Sequence, residues 1–188
     1  EYARIDSSGR LGIGTTSPSY KLSLRDDSTS AYPLSLENNN IGTAGVHTGI
    51  RFGYAGNTYQ KGAILFESQD ANGRGKMYFA MEGTANNSNA DETDAKMTID
   101  YSGSVGIGTT SPASTISGSA AVLHLYDGTN NNLASLALQA GTVGSKWEIG
   151  ALSSNALGFF DDGSEAMRID SSGNLLHGTT GTSWTNTA

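Results

Sequence analysis

Residues 97–112 read MTIDYSGSVGIGTTSP, and the chain contains this stretch in three versions. RIDSSGRLGIGTTSP occupies residues 4–18, and MRIDSSGNLLHGTT occupies residues 167–180. Recurrence of one pattern along a chain is typical of a protein built from repeated structural units. We call each version a marker and interpret the residues between two markers as one module.

Each marker predicts a β-hairpin. In the middle marker, Asp100 stands at the first position of a four-residue turn and Gly103 at the fourth, as a type I turn followed by a bulge prefers. Apolar and polar residues alternate on both sides of the turn, which is the period of a half-buried strand. The same chemistry recurs in the other markers, so six residues are predicted to form turns: Asp6, Gly9, Asp100, Gly103, Asp170 and Gly173.

The apolar positions of the markers predict a core. Ile13 and Ile107 fall on one face of their strands, and the neighbouring glycines fall on the other. A glycine in a strand lets another backbone approach closely, and we expect that backbone to belong to a neighbouring chain. Five isoleucines are predicted to form the core of an assembly of identical chains: Ile5, Ile13, Ile99, Ile107 and Ile169.

The markers divide the chain into segments. Residues 1–18 are interpreted as the end of a preceding module with its linker hairpin, 19–112 as a long module, 113–182 as a short module, and 183–188 as the start of the next segment. Residues 1–4 align with 165–168, so we expect the chain to be a section of a longer fibre.

The two modules can be aligned with each other. Residues 34–36 are matched with 136–138, and residues 50–53 with 147–150. On this alignment the apolar stretch 62–66 and the polar insertion 83–94 have no counterpart in the short module. Because only one module carries the insertion, we expect the fibre to assemble without residues 86–94.

The composition fits an all-β chain of short strands and tight turns. Only 36% of the residues are hydrophobic and 25 are glycine, so a single large core is not expected. A formal net charge of −7 argues against nucleic acid as a partner. No apolar run reaches the roughly 18 residues of a membrane span, so membrane insertion is not expected. The absence of cysteine excludes disulfides and thiolate metal sites.

The marker pattern resembles repeats in bacteriophage tail fibre proteins, in the region that often precedes an intramolecular chaperone domain of the endosialidase type. The resemblance covers the whole chain through its two modules. It implies an elongated, β-rich homotrimer located in the virion tail fibre. Its strongest residues are Ile99, Asp100, Gly103, Val105, Gly106, Ile107, Gly108, Thr109, Thr110 and Pro112.

The small size of each module independently predicts that identical chains associate. A module of this length with short apolar alternations buries little within one chain, and its strands would expose unpaired edges. We therefore expect the fold to exist only as an assembly of identical chains, and the resemblance implies three. The expected architecture is an elongated homotrimeric fibre of repeated small β modules joined by hairpins.

The expected function is mechanical: a shaft component of the tail fibre that supports host recognition and attachment. Its partners would be its own copies, other virion tail proteins, and a glycan or protein of the host surface. No cofactor and no enzyme activity are expected, because the Gly-x-Gly of the markers lacks a third glycine and a P-loop lysine, and the repeated aspartates fit turns. Two alternatives stay open: a receptor-binding module and a fibre-borne glycan depolymerase.

Two candidate sites follow from departures from the repeat. Loops on a rigid scaffold are where binding often resides, so the insertion is a candidate receptor loop, carried by Asn86, Asn87, Asn89, Asp91 and Asp94. In the third marker His177 replaces the isoleucine of the other two. Three such imidazoles around an axis form a candidate metal site, weighed against a packed or hydrated ring. Exposed aromatic residues such as Tyr54, Tyr59 and Tyr126 could stack on sugars, although Trp147 and Phe159 are expected in the core.

Overall fold

The computed structural model describes residues 2–28, 32–38, 43–54, 59–115, 121–128, 134–139, 146–152 and 154–178. In these residues the protein is all-β, as the sequence predicts, and its strands form three open sheets. A single 3-10 turn, Glu92–Asp94, is the one helical element of this part of the chain. The start of the next segment, residues 183–188, lies outside the described residues.

The chain separates into two compact units, residues 1–40 and residues 41–188. The first unit contains a three-stranded sheet of β1 (Ala3–Ile5), β2 (Leu11–Ile13) and β3 (Leu22–Leu24). The second contains a six-stranded sheet of β4 (His47–Phe52), β5 (Gly62–Ser68), β6 (Gly75–Met81), β7 (Ala95–Ile99), β8 (Val105–Ile107) and β9 (Leu123–Leu125). It also contains a five-stranded sheet of β10 (Ala134–Gln139), β11 (Lys146–Leu152), β12 (Ala156–Asp161), β13 (Ser164–Ile169) and β14 (Leu175–His177).

Strand order follows chain order in every sheet, and neighbouring strands are antiparallel with two exceptions. β3 runs parallel to β2, and β9 runs parallel to β8. The module boundary drawn after Pro112 falls between β8 and β9, which are two strands of the same sheet. The repeat of the sequence and the repeat of the sheets are therefore out of phase.

The two larger sheets share a register. Phe79 pairs with Met97 and Phe159 with Met167, and a bulge follows each of these pairs at the same place. Ile50 pairs with Ile64, and Leu136 pairs with Ile149. These pairs make β4 the counterpart of β10 and β5 the counterpart of β11.

This register corrects the alignment of the modules. Residues 62–66 are not an extra stretch, because they lie in β5 and correspond to residues of β11. Residues 34–36 form no strand, although their sequence alternates as 136–138 does. The alignment was wrong because three-residue alternations occur in many places, whereas correspondence is decided by cross-strand partners.

One face of the six-stranded sheet is covered by its own chain. Ala63, Leu65, Tyr78 and Ala80 form a buried cluster on this face. A fifth member, Ala90, comes from the insertion and is 0% exposed. The core of this sheet is therefore thin, with a loop where a second sheet would lie in a sandwich.

The five-stranded sheet covers the corresponding face in another way. Its register counterpart of Ala80 is Phe160, and that of Tyr78 is Gly158. A Cβ on Gly158 would stand 2.7 Å from the Phe160 ring and 3.2 Å from Leu152, so these two side chains lie over the glycine. The five-stranded sheet therefore has its large aromatic residue at the position of Ala80 and not at that of Tyr78. This side chain fills the space that the insertion fills in the six-stranded sheet.

Candidate functional site: the open apolar faces

The opposite face of the six-stranded sheet is apolar, and no described residue of its own chain covers it; we call it the open face. Cross-strand pairing places six side chains in one continuous row: Ile50, Ile64, Phe79, Met97, Ile107 and Leu125. A second row contains Phe66, Met77, Ile99, Val105 and Leu123. Exposure reaches 54% at Phe52, 56% at Met81 and 65% at Leu123, although large apolar side chains are normally packed.

The five-stranded sheet has an open face of the same kind. Its central row contains Leu136, Ile149, Phe159, Met167 and His177. Trp147 lies on this face and is 48% exposed, so the described residues of its own chain do not bury it, and its place in a core stays a prediction that depends on other copies. The three-stranded sheet repeats the pattern, with Ile5 beside Leu11 and Leu22 in one row and Ile13 beside Leu24 in the next.

The five isoleucines assigned to an assembly core all lie on open faces. Ile5 is 75% exposed, while Ile13, Ile107 and Ile169 are about half as exposed and Ile99 is partly buried. The open faces of the three-stranded and six-stranded sheets each end in a hollow at the same register. One, of about 300 Å³, is lined by Ile13, Gly14, Leu24 and Arg25; the other, of about 400 Å³, is lined by Ile107, Gly108, Leu125 and Tyr126.

The marker glycines face a different neighbour from the one expected. A Cβ on Gly106 would stand 2.6 Å from the carbonyl oxygen of Thr109 and 3.4 Å from Pro112. Gly12 has the same relationship to Thr15 and Pro18. The close backbone therefore belongs to the same chain, and the expectation of a neighbouring chain at these glycines was wrong. The Thr-Thr-Ser-Pro segment folds back over its own strand and buries the proline.

The structure places the marker aspartates at hairpin turns. Asp100 Oδ1 accepts hydrogen bonds from the backbone N–H groups of Ser102 and Ser104, both 2.9 Å long. Asp6 and Asp170 accept equivalent bonds, and the turn glycines Gly9, Gly103 and Gly173 all have positive φ. The backbone N–H of Arg10 holds the pKa of Asp6 below its usual range, and the Asn174 side chain does so for Asp170. For Asp100, partial burial raises the pKa, but the bonds from Ser102 and Ser104 outweigh it and the net pKa is lowered.

The structure divides the candidate receptor loop into a tip, residues 83–88, and a base, residues 89–94. In the base, Asn89 Oδ1 accepts from the backbone N–H of Gln60 at 3.0 Å, and Asp91 and Asp94 cap the 3-10 turn reciprocally. In the tip, Asn86 and Asn87 are exposed. Because the base carries the fully buried Ala90, removal of residues 86–94 would uncover part of the core, and assembly of the fibre without them stays a prediction.

Lys61 anchors the near side of this loop. Its Nζ donates to a Glu82 carboxylate oxygen at 2.5 Å, to the Thr84 carbonyl at 3.0 Å and to Asn86 Oδ1 at 3.0 Å. The Lys61 bond, together with one from the backbone N–H of Thr84, lowers the pKa of Glu82 to about 2. A charged hydrogen-bond network therefore fixes the loop to the residue that directly precedes β5.

The sequence did not predict a polar cluster on the covered face of the six-stranded sheet, which is the face that carries Leu65 and Tyr78. The Tyr78 hydroxyl donates to the Glu67 carboxylate, and His47 Nε2 lies 3.9 Å from Glu67 and 3.7 Å from Glu92. Burial, followed by the neighbouring Glu67, raises the pKa of Tyr78 far above its usual value. These side chains come from three strands and the 3-10 turn, so no local spacing in the sequence indicates that they meet.

His177 lies at the open-face position that Ile107 and Ile13 occupy in the other sheets, since Met167 pairs with His177 as Met97 pairs with Ile107. Among the described residues, no three His, Asp or Glu side chains of one chain are grouped as metal ligands require. A metal at His177 stays a prediction that depends on other copies.

No protein-family model matches the chain, and no curated protein matches it. Over the part of the chain that the structure describes, there is no helix with the length and apolar character that crossing a bilayer requires.

Proposed function

We propose that this chain is a shaft segment of a bacteriophage tail fibre, in which three copies pack their open faces together around one long axis. The role is mechanical, with no reaction and no cofactor. Its partners are two further copies, the neighbouring proteins of the virion tail, and the host surface that the fibre approaches.

The observation that carries the proposal is the continuous apolar row from Ile50 to Leu125, with its counterpart from Leu136 to Met167. Nine large side chains of the six-stranded open face are at least 36% exposed: Ile50, Phe52, Ile64, Phe66, Met77, Phe79, Met81, Ile107 and Leu123. If a fully exposed large side chain offers about 200 Å², these residues expose on the order of 800 Å². That is about what each partner buries in a stable interface, and more than the largest patch on an ordinary monomer.

Identical copies suit this surface better than an unrelated partner. The same apolar rows recur in all three sheets, so one symmetric arrangement can cover all of them. The number three comes from the tail-fibre resemblance of the markers, since an apolar face does not by itself select between two and three copies.

A pair of neighbouring substitutions tests the packing. Leu136 lies on the open face and is 50% exposed, and Ala137 lies beside it on the other face of β10 and is also exposed. Leu136→Asp places a carboxylate in the interface of every copy and should give monomer or aggregate, because unpaired charge in an interface costs several kcal/mol. Ala137→Asp should assemble as the parent does.

The measurement is light scattering after gel filtration. The parent should have the mass of three chains, and a monodisperse, folded parent monomer would refute the assembly. Electron microscopy of intact particles with an antibody against the chain then tests the location; labelling away from the tail fibres would refute it. Release of reducing ends from host polysaccharide would instead support the depolymerase alternative.

A further inference from the structure

The insertion of the six-stranded sheet is larger than covering that sheet requires. The five-stranded sheet covers the same face with Phe160 and Leu152, which are residues of its own strands. The six-stranded sheet uses residues 82–94 instead, and only Ala90 of that segment joins the core. Ordering so many residues costs conformational entropy that one buried alanine does not offset. The exposed remainder of the segment therefore requires another explanation.

The tip of this loop is preorganised. The backbone N–H of Thr84 donates to Glu82, that of Asn86 donates to the Thr84 carbonyl, and that of Ser88 donates to Asn86 Oδ1. Lys61 closes the network from the β5 side. Preorganisation removes much of the ordering cost that a flexible loop incurs on binding.

An exposed aromatic residue borders the loop. The backbone of Gln60 bonds to both Asn89 and Ala90, so residues 59–61 run alongside the loop. Tyr59, the first of them, is 41% exposed and has a φ of 62°. A bulky residue in the left-handed region is strained, and such strain is often found at binding sites.

The chemistry of this surface selects a class of ligand. Thr84, Asn87 and Ser88 are exposed at the tip and offer neutral hydroxyl and amide groups. The two neighbouring cations are engaged internally, Lys61 by Glu82 and Arg51 Nε by the Ala90 carbonyl at 3.1 Å. An exposed tyrosine in the segment that runs alongside a loop with neutral hydrogen-bonding groups suits a polyhydroxylated ligand without charge.

We propose that Tyr59 and the tip of the loop, residues 83–88, form a binding surface for a neutral glycan. Tyr59 supplies a stacking face, and Thr84, Asn87 and Ser88 supply hydrogen bonds. The surface belongs to one chain and does not depend on the assembly of the fibre.

The experiment exposes the 188-residue chain to a printed array of neutral and acidic oligosaccharides and then titrates the best neutral one. Tyr59→Gly is the decisive variant, because glycine adopts a positive φ without strain and should leave the melting temperature equal or higher. Asn155→Gly is the matched control, since Asn155 also has a positive φ of 57° but lies in the hairpin between β11 and β12. Asn87→Ala removes one amide from the tip.

We expect retention of neutral glycans by the parent and by Asn155→Gly, and affinity about five- to tenfold weaker for Tyr59→Gly. Asn87→Ala should weaken binding by a smaller factor. The proposal is overturned if the parent retains no glycan, if it retains only acidic ones, or if Tyr59→Gly binds as Asn155→Gly does. The mass of each variant is recorded in parallel, so failure of the fibre assembly is seen separately from failure of glycan binding.

Discussion

A Cβ added to Gly108 would stand 2.1 Å from the carbonyl oxygen of Tyr126, which is closer than any real contact of that kind. Gly14 has the same relationship to Arg25, at 2.0 Å. Both glycines have positive φ and follow a strand directly, and in both cases the carbonyl belongs to the residue directly after the parallel neighbouring strand. The glycine after the marker isoleucine is therefore required by the parallel strand pair as well as by the backbone conformation.

Gly108→Ala should destabilise the chain much more than Gly163→Ala. Gly163 has a similar φ of 82°, but no atom lies within 4 Å of its added Cβ, so only conformational strain of about 1–2 kcal/mol applies there. At Gly108 the clash with Tyr126 adds to that strain, and we expect a loss of about 3 kcal/mol or more. Urea denaturation of both variants measures the difference. Equal midpoints would show that the backbone at Tyr126 shifts away from the new Cβ without loss of stability.

Removal of residues 86–94 should lower stability by about 2–4 kcal/mol, because it uncovers Ala63, Leu65, Tyr78 and Ala80. Adding Ala80→Phe to the deletion should recover part of the loss, since the five-stranded sheet carries Phe160 at the corresponding position. Thermal melting of the parent, the deletion and the combined variant compares them. If Ala80→Phe lowers the melting temperature of the deletion variant further, a phenylalanine at this position cannot replace the loop as the cover of the sheet.

The Lys61–Glu82 network predicts a pH dependence. The pKa of Glu82 is lowered to about 2 in the folded chain, compared with about 4.3 in an unfolded one. A lowered folded pKa gives stabilisation that is present above about pH 4.3 and is lost as the pH falls through about 2. Glu82→Gln should therefore melt below the parent at pH 7, with the difference closing towards pH 2. Parallel melting curves at all pH values would contradict the network.

Replacement of His177 by isoleucine should stabilise the assembly by about 1 kcal/mol per chain, because it restores the apolar residue that Ile107 supplies at this register. His124→Ile is the control on the covered face, where Nδ1 accepts from the backbone N–H of Ala113 at 3.4 Å, and no gain is expected there. Elemental analysis of tag-free protein accompanies the melting curves. Stoichiometric metal that is lost in His177→Ile, together with a lower melting temperature, would identify a metal site instead.

Local chemistry determined what could be predicted from the sequence. The turns at Asp6, Asp100 and Asp170 depend on contacts within five residues, and alternation around them indicates the strands. The counterpart of β5 could not be recognised, because correspondence depends on pairing such as that of Ile64 with Phe79 across a hairpin. Ala90 gave no signal either, since nothing in an Asn-rich loop distinguishes a buried alanine from an exposed one.

The pairing of β9 with β8 affects how such a chain can be lengthened or cut. The strand that completes the six-stranded sheet is supplied by residues 123–125, which follow the marker at 97–112 and belong to the next copy of the sequence repeat. A protein truncated after Pro112 would keep the marker at 97–112 but lose β9, so β8 would become an unpaired edge strand. Conversely, a duplicated copy inserted at a marker would supply the strand that pairs with β8 of the copy before it. Copies joined in this way cannot fold independently of one another.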